Sequence, residues 1–401
     1  MGETPPSWIN SEFLEKAVKF DRKNPDIEII SFDIKRAAAA GDHYGSEMYR
    51  ATVKTKENGK NEEISLIVKC NHQEGEMSKI LEDCDVFRAE AKTFTDVHVL
   101  ISKLLQKAFP DSYQPIAANC IYTQELPTAI VLDDLKKQGF KLASVTHGLD
   151  LKHCLLVMRK IAQYHACSVV LRHQDPSRFE AFKEYLLKNG RAGMSGFFTN
   201  VMKSMRNEVE SWDDGENYLD ALKTLEIKTL DRWINAVLRE DDGYNVLIHG
   251  DLWMNNMMFR YSEKQDVQEV RFVDFQLSYI TSPAIDLQYF INSSASPEVI
   301  TNDYQLMIDE YYNTLCDTFK RLGHEELQPS RDVLNAELEK KKVFGIVGGL
   351  SIRCFALVDR NHVPDMEKVM KKDEIIHLSE KYKETLRKLM PWYYKWGWLN
   401  F

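Results

Sequence analysis

Two short runs in this chain each end in residues that could do chemistry. Val246-Leu247-Ile248 leads into His249-Gly250-Asp251 with Asn256 close behind, and Val270-Arg271-Phe272-Val273 leads into Asp274. Runs rich in β-branched residues that stop at polar ones read as strands delivering side chains to loops. The residue types define a reaction. One carboxylate can accept the proton of a hydroxyl, while an amide oxygen and a second carboxylate hold Mg²⁺ against a polyphosphate. In that scheme Asp251 is the base, His249 opens the catalytic loop, and Asn256 and Asp274 are the metal ligands. Taken singly, each would read as a turn cap or a solvated loop residue. His, Asp, Asn and Asp in this order, with a hairpin between them, read as phosphoryl-transfer machinery.

The elements that must position these residues follow from periodicity. Apolar spacing predicts a short amphipathic helix over residues 7–20. From Ile27 the texture alternates, giving three antiparallel strands, the last two joined by Glu57-Asn58-Gly59-Lys60; Asn-Gly between alternating runs is a strong hairpin signal. Lys69 ends the third strand. A long helix is predicted over 84–108, and Glu90 lies on or beside its inward stripe of Phe87, Phe94, Val97 and Ile101. A carboxylate on such a stripe is costly unless paired, and Lys69 is the obvious partner, able to reach the α- and β-phosphates of ATP. Between the first two strands, Gly45 and Ser46 belong to a loop whose backbone N–H groups could close over phosphate, although an ordinary hairpin loop has the same composition. The run Thr128-AIVLDDL reads as the last strand of a small sheet entering a connection, with backbone near Leu132 to Leu135 expected at the adenine edge. Asp133 and Asp134 are nucleotide-contact candidates there.

Beyond this point the texture is helical. The 151–171 stretch is long and amphipathic; its His165, with His173, has no third ligand in range and reads as a packed helix histidine rather than a metal site. Residues 172–243 are charged, helix-prone and free of motifs, with a turn at Trp212-Asp213-Asp214-Gly215. Pro283 starts another helix, whose Asp286 can brace the catalytic loop by accepting backbone N–H bonds or can be an ordinary first-turn acid. The aromatic tail from Trp392 reads as packing rather than as a cofactor box.

Bulk properties narrow the field. A length of 401 residues suits two lobes, and 44% hydrophobic with 28% charged residues is ordinary for a soluble globular protein. A net charge of −9 gives no general attraction to nucleic acid or to an anionic membrane. Seven cysteines without a Cys-x-x-Cys pair argue against a disulfide framework or a structural zinc, and for reduced thiols. No run reaches 18 consecutive apolar residues, and the N-terminal decapeptide lacks signal-peptide and myristoylation patterns, so a cytoplasmic location is expected. Oligomeric state leaves no mark in the sequence.

With GDHYGSEMYR, IVK, FRAEAKTF, VLDDL, HGDLWMNNMMF and VDFQLSYITSPAIDLQYF on the page, the chain resembles the ecdysteroid-kinase-like (choline/ethanolamine-kinase-like) branch of the aminoglycoside phosphotransferase superfamily. The resemblance runs from about Ile29 to Pro391. It implies an α+β, bilobal protein-kinase-like fold: a small, mainly antiparallel-sheet N-terminal lobe with one long helix over 1–131, a hinge at 132–136, and a larger, mostly helical lobe over 137–401. It also implies transfer of the ATP γ-phosphoryl group, with Mg²⁺, to a small-molecule hydroxyl; the branch includes ecdysteroid 22-kinases. By resemblance Asp251 is the catalytic base, Asn256 and Asp274 bind Mg²⁺, and Lys69 with Glu90 sets the phosphates. Asp274 is followed by Phe-Gln rather than Phe-Gly, and no Ala-Pro-Glu follows, which leaves little room for an activation segment and makes a protein substrate unexpected. Two alternatives stand beside the steroid-like or xenobiotic alcohol. A choline or ethanolamine kinase would need an aromatic cage, for which Trp253, Tyr279 and the C-terminal tryptophans are candidates. A pseudokinase binding nucleotide without turnover would normally show a broken member of the set, and none is broken.

Overall fold

A computed structural model describes residues 5–37, 46–71, 86–143, 147–182, 191–358, 369 and 376–400. The N-terminal part is built on a five-stranded antiparallel sheet in the order β1-β2-β3-β5-β4: β1 (Glu28–Arg36), β2 (Glu47–Glu57), β3 (Lys60–Cys70), β4 (Cys120–Glu125) and β5 (Thr128–Asp133). Glu57 and Lys60 close the β2–β3 hairpin, and Asn58 and Gly59 both take positive φ, as a tight two-residue hairpin turn requires. The central position of β3 pairs Lys69 with Met48 on one side and Ile130 on the other, so its backbone is locked from both edges. Strand β4 goes beyond the sequence-level expectation. Its residues are nearly all half-buried, so they lack the in–out alternation that betrays a strand.

Each face of the sheet has its own partner. Helix α1 (Ser11–Arg22), capped by the Asn10 side chain accepting from Phe13 N–H, covers one face with Phe13, Leu14, Ala17 and Val18 against Tyr49, Ala51, Val53 and Val68. On the other side runs the Glu90-bearing helix, which is not continuous: α2 (Val86–Lys92) passes through a π turn (Thr93–Val97) into α3 (His98–Ala108). Its Phe94, Val97, Ile101 and Leu105 join the same core as the helical part of the chain.

That part is centred on α4 (Leu151–Gln174), followed by α5 (Arg191–Glu210) and α6 (Glu216–Val237), with the expected turn at Trp212 between them. Although not one unbroken apolar run, α4 is long and apolar enough to cross a membrane by length and composition; 78% of its most apolar window is buried inside the molecule, as a core helix requires. Two small antiparallel pairs follow, β6 (Val246–Leu247) with β9 (Ile280–Thr281) and β7 (Met257–Tyr261) with β8 (Val267–Phe272). Then come α7 (Ala284–Ser294), α8 (Pro297–Leu322) and α9 (Arg331–Lys340). The short α10 (Lys342–Phe344) runs through a π turn of Gly345–Gly349 into α11 (Leu350–Ala356), and α12 (Glu380–Lys395) ends the helical series. Helix α7 has all eleven residues buried, and Pro283 sits just before its first residue rather than on it. The aromatic tail packs inward: Trp392 and Trp398 meet Tyr304, and Tyr393 Oη donates to Asn292 Oδ1 at 2.6 Å.

Candidate active site

The loop that carries Asp251 hangs between β6 and β7, and a single carboxylate fixes its entry. Asp286, wholly buried on the first turn of α7, accepts the backbone N–H of His249 at 2.7 Å and of Gly250 at 2.9 Å. The same Asp286 Oδ2 lies 3.1 Å from His165 Nε2, and His165 Nδ1 lies 2.9 Å from Tyr311 Oη. His165 is therefore more than packing, because it orients the brace. Gly250 has φ +85°, and a Cβ there would overlap the Leu277 carbonyl oxygen, so the turn needs glycine twice over.

His249 points inward. Its Nε2 faces the Val273 carbonyl at 3.1 Å and its Nδ1 accepts the Asp251 N–H at 3.3 Å, which fixes one neutral tautomer. Burial holds its pKa below the ordinary histidine value. His249 thus ties the start of the loop that carries Asp251 to the residue before Asp274.

Asp251 is held at both carboxylate oxygens. Asn256 Nδ2 donates to Oδ2 at 2.8 Å and to the Asp251 carbonyl at 3.0 Å, and Tyr289 Oη donates to Oδ1 at 2.8 Å. Burial first, and then the charge of Asp274, push the Asp251 carboxyl up to about 6, while the bonds from Tyr289 and Asn256 pull the other way. A base poised near neutrality is what proton transfer from a hydroxyl calls for. Tyr289 escaped sequence reading because it lies in a helix buried all round, where no stripe distinguishes one residue from the next.

Both acceptors of the Asn256 amide nitrogen are oxygens of Asp251, so the amide nitrogen must face them and its carbonyl oxygen must face away. Asp274 closes the site in the left-handed region, at φ +67°. Its backbone neighbourhood is tied to the catalytic loop by Val273 N–H donating to the Asn256 carbonyl at 3.0 Å. One amide oxygen and one carboxylate fit Mg²⁺, which usually takes one or two protein oxygens and completes its shell with phosphate and water. Among the described residues no cluster of three or more His, Cys, Asp or Glu could hold a metal on its own.

Lys69 bridges the two halves. Its Nζ lies 2.6 Å from Glu90 Oε2, 2.8 Å from Oε1 and 2.7 Å from Asp274 Oδ1. Glu90 also accepts the Phe275 N–H at 3.0 Å, so one buried carboxylate clamps both the lysine and the segment after Asp274. The two carboxylates hold the lysine's pKa above its ordinary value against the burial that lowers it.

The connection after β5 is held by its own two acids. Asp134 is engaged by Arg50 Nε at 2.6 Å, Ser65 Oγ at 2.7 Å and Lys136 N–H at 3.1 Å; Asp133 is engaged by Asn119 and Gln138. Their side chains pin the turn. Ser46 is buried at the start of β2, and Gly45 lies outside the described residues.

The model of the ecdysteroid kinase-like family matches residues 40–324, which takes in every site residue described above. The chain belongs to the ecdysteroid kinase-like family. Membership places it among kinase-like phosphotransferases. No curated protein matches the sequence. Among solved structures, the GDP complex of wild-type aminoglycoside 2'-phosphotransferase-IIIa is similar at 13% identity and TM-score 0.31, covering 91% of this chain and 98% of that one. A choline/ethanolamine kinase family protein from Mesorhizobium loti is similar at 9% identity and TM-score 0.28, covering 80% and 92%. Both likenesses are loose, and membership in the ecdysteroid kinase-like family stands on the sequence match.

Proposed function

We propose that this protein transfers the γ-phosphoryl group of ATP to a hydroxyl of a small molecule, in the cytoplasm, with a steroid-like or xenobiotic alcohol such as an ecdysteroid as acceptor. The observation that carries this reading is Asp251, a base raised to about 6 and held at both oxygens beside Asn256 and Asp274. Bound Mg-ATP supplies the transferable group and neutralises phosphate charge. Asn256 and Asp274 are the protein ligands of the metal, and Lys69, located by Glu90, meets the phosphates. Asp251 takes the acceptor's proton as its oxygen bonds to phosphorus and the bond to the β-phosphate oxygen breaks, leaving ADP. Residues 1–131 then hold nucleotide, 132–136 act as hinge, and 137–401 carry the catalytic loop and the acceptor.

Membership in the ecdysteroid kinase-like family supports a steroid-like acceptor. Beside the base, Tyr289 packs 5.7 Å from Phe344, which stacks on Trp233 at 6.2 Å, and all three rings are buried core. A choline cage finds less support, since Trp392 and Trp398 pack against Tyr304 and Tyr393 inside the helical part of the molecule. The test is calorimetric ATP binding with and without Mg²⁺, in wild type, Asn256→Ala and Asp274→Ala. Magnesium-dependent binding weakened at least tenfold in both variants is expected; binding indifferent to magnesium would overturn the reading.

A further inference from the structure

At the C-terminal end of α4 lies a cavity of about 610 Å³, within the size range of small-molecule sites. Arg172, Arg239 and Glu180 are the charged side chains of its wall, and Phe179, Ile280 and Leu327 stand among the apolar ones. Ile280 belongs to β9, which pairs with β6, the strand that leads to His249. The cavity uses none of the residues gathered around Asp251.

Arg172 is half-buried, and among the described residues its guanidinium makes no hydrogen bond and no ion pair. Its Nη1 is sealed inside the protein, whereas Nε and Nη2 are not. Those two nitrogens form one edge of the guanidinium, with their N–H groups side by side. Burial first, and then the charge of Arg239, lower the pKa of Arg172, yet an arginine keeps its proton. Holding a cation partly out of water beside a like charge costs stability, and no acid of the protein offsets it. The carbonyl end of α4 favours a positive charge nearby, but it leaves the open pair of donors unused.

We propose that this cavity binds an amphiphilic monoanion, an apolar body ending in a carboxylate that sits on the Nε–Nη2 edge of Arg172. Two parallel N–H groups match the two oxygens of a carboxylate, which is the geometry in which arginine recognises it. Charge favours a single negative group. Arg239 already pairs with Asp241 at 3.2 Å, and Glu180 adds negative charge to the wall, so Arg172 is the one cation of the lining left without an acid. A phosphate dianion would bring more charge than that cation matches. Phe179 and Ile280 are buried and Leu327 is half-buried, so the rest of the wall suits an aromatic or aliphatic body.

This site does not depend on the phosphotransfer reading, and its test needs no nucleotide. The probes are 4-phenylbenzoate, its neutral counterpart 4-phenylbenzamide, and benzoate, each titrated calorimetrically into the full chain. 4-Phenylbenzoate should bind at least tenfold more tightly than the amide, which lacks the charge, and than benzoate, which lacks the second ring. Arg172→Gln should abolish the preference for acid over amide. Leu327→Glu, which sets a carboxylate against the probe, should weaken 4-phenylbenzoate at least tenfold. Because Arg172 has no partner to lose, unliganded Arg172→Gln should melt no lower than wild type. 4-Phenylbenzoate should raise the melting temperature of wild type and not of Arg172→Gln. Absence of binding, equal binding of acid and amide, or a preference that survives Arg172→Gln would overturn the site. A lower melting temperature for unliganded Arg172→Gln would also count against it, by showing that Arg172 serves the fold.

Discussion

Tyr289 donates to Asp251 at 2.8 Å on Oδ1, opposite the oxygen that receives Asn256, and its own phenol stays protonated because burial and the Asp251 charge raise its pKa well above the ordinary value. The two donors stabilise the charged carboxylate and oppose the burial that lifts it to about 6. A base must be ionised to work, so kcat/KM should fall as pH drops through about 6 and level off above it. Tyr289→Phe removes a bond to the ionised form only. Its acidic limb should move up by about one pH unit, since a bond to a charged group is worth about 1.5 kcal/mol or more and one unit is about 1.4. A pH–rate profile checks this; a limb that stays put would mean Tyr289 does not tune the base.

Gly250 and Asp286 set the geometry of the loop and should fail differently. Gly250→Ala must move the Leu277 carbonyl and adopt a strained φ, so it should lower the melting temperature and cut turnover about a hundredfold. Asp286→Asn replaces an acceptor of two backbone N–H groups with a weaker one that also carries donors. Turnover should drop about tenfold or more while ATP affinity holds, because Asp286 faces the catalytic loop and not the Lys69 pair. Calorimetry beside steady-state kinetics separates the two effects.

The Lys69–Glu90 pair is buried, with Lys69 3% and Glu90 0% exposed, so removing one partner strands a charge. Lys69→Met should destabilise the fold by about 3–5 kcal/mol, because Glu90 and Asp274 lose their common cation. The double variant Lys69→Met with Glu90→Leu should regain part of that loss. Denaturant midpoints read the stability, and ATP binding should be weakened in both variants. A double variant no more stable than Lys69→Met would mean that stranded charge is not the cause.

The residues that the sequence makes legible share one property: each sits where a pattern breaks. Lys69 ends an apolar strand, Glu90 interrupts an inward stripe, and Asp251 and Asp274 end β-branched runs. The ion pair and the Asp286 brace follow from the cost of burying lone carboxylates, and the structure has both. Tyr289 and β4 were hidden for the converse reason, a helix buried on every side and a strand half-buried on every residue. The hydrogen bonds of the acids at the end of β5 could not be read locally, because Arg50 and Ser65 reach Asp134, and Asn119 reaches Asp133, from distant positions. Long-range partners of this kind leave no local pattern. The π turn between Glu90 and His98 is equally silent, since Thr93-Phe94-Thr95-Asp96-Val97 keeps helical spacing of its apolar residues.

The most direct test of the account is ADP release from Mg-ATP in the presence of ecdysteroids, plant and sterol alcohols, and choline, run beside Asp251→Asn. Asp251→Asn keeps both the shape and an acceptor for Tyr289 but cannot take a proton at neutral pH, so it should fold and bind ATP normally while losing about a hundredfold or more of turnover. Turnover on a steroid-like or xenobiotic alcohol, lost in Asp251→Asn, is the result this account predicts. Turnover that survives in Asp251→Asn would contradict it, as would silence of the wild type on every acceptor.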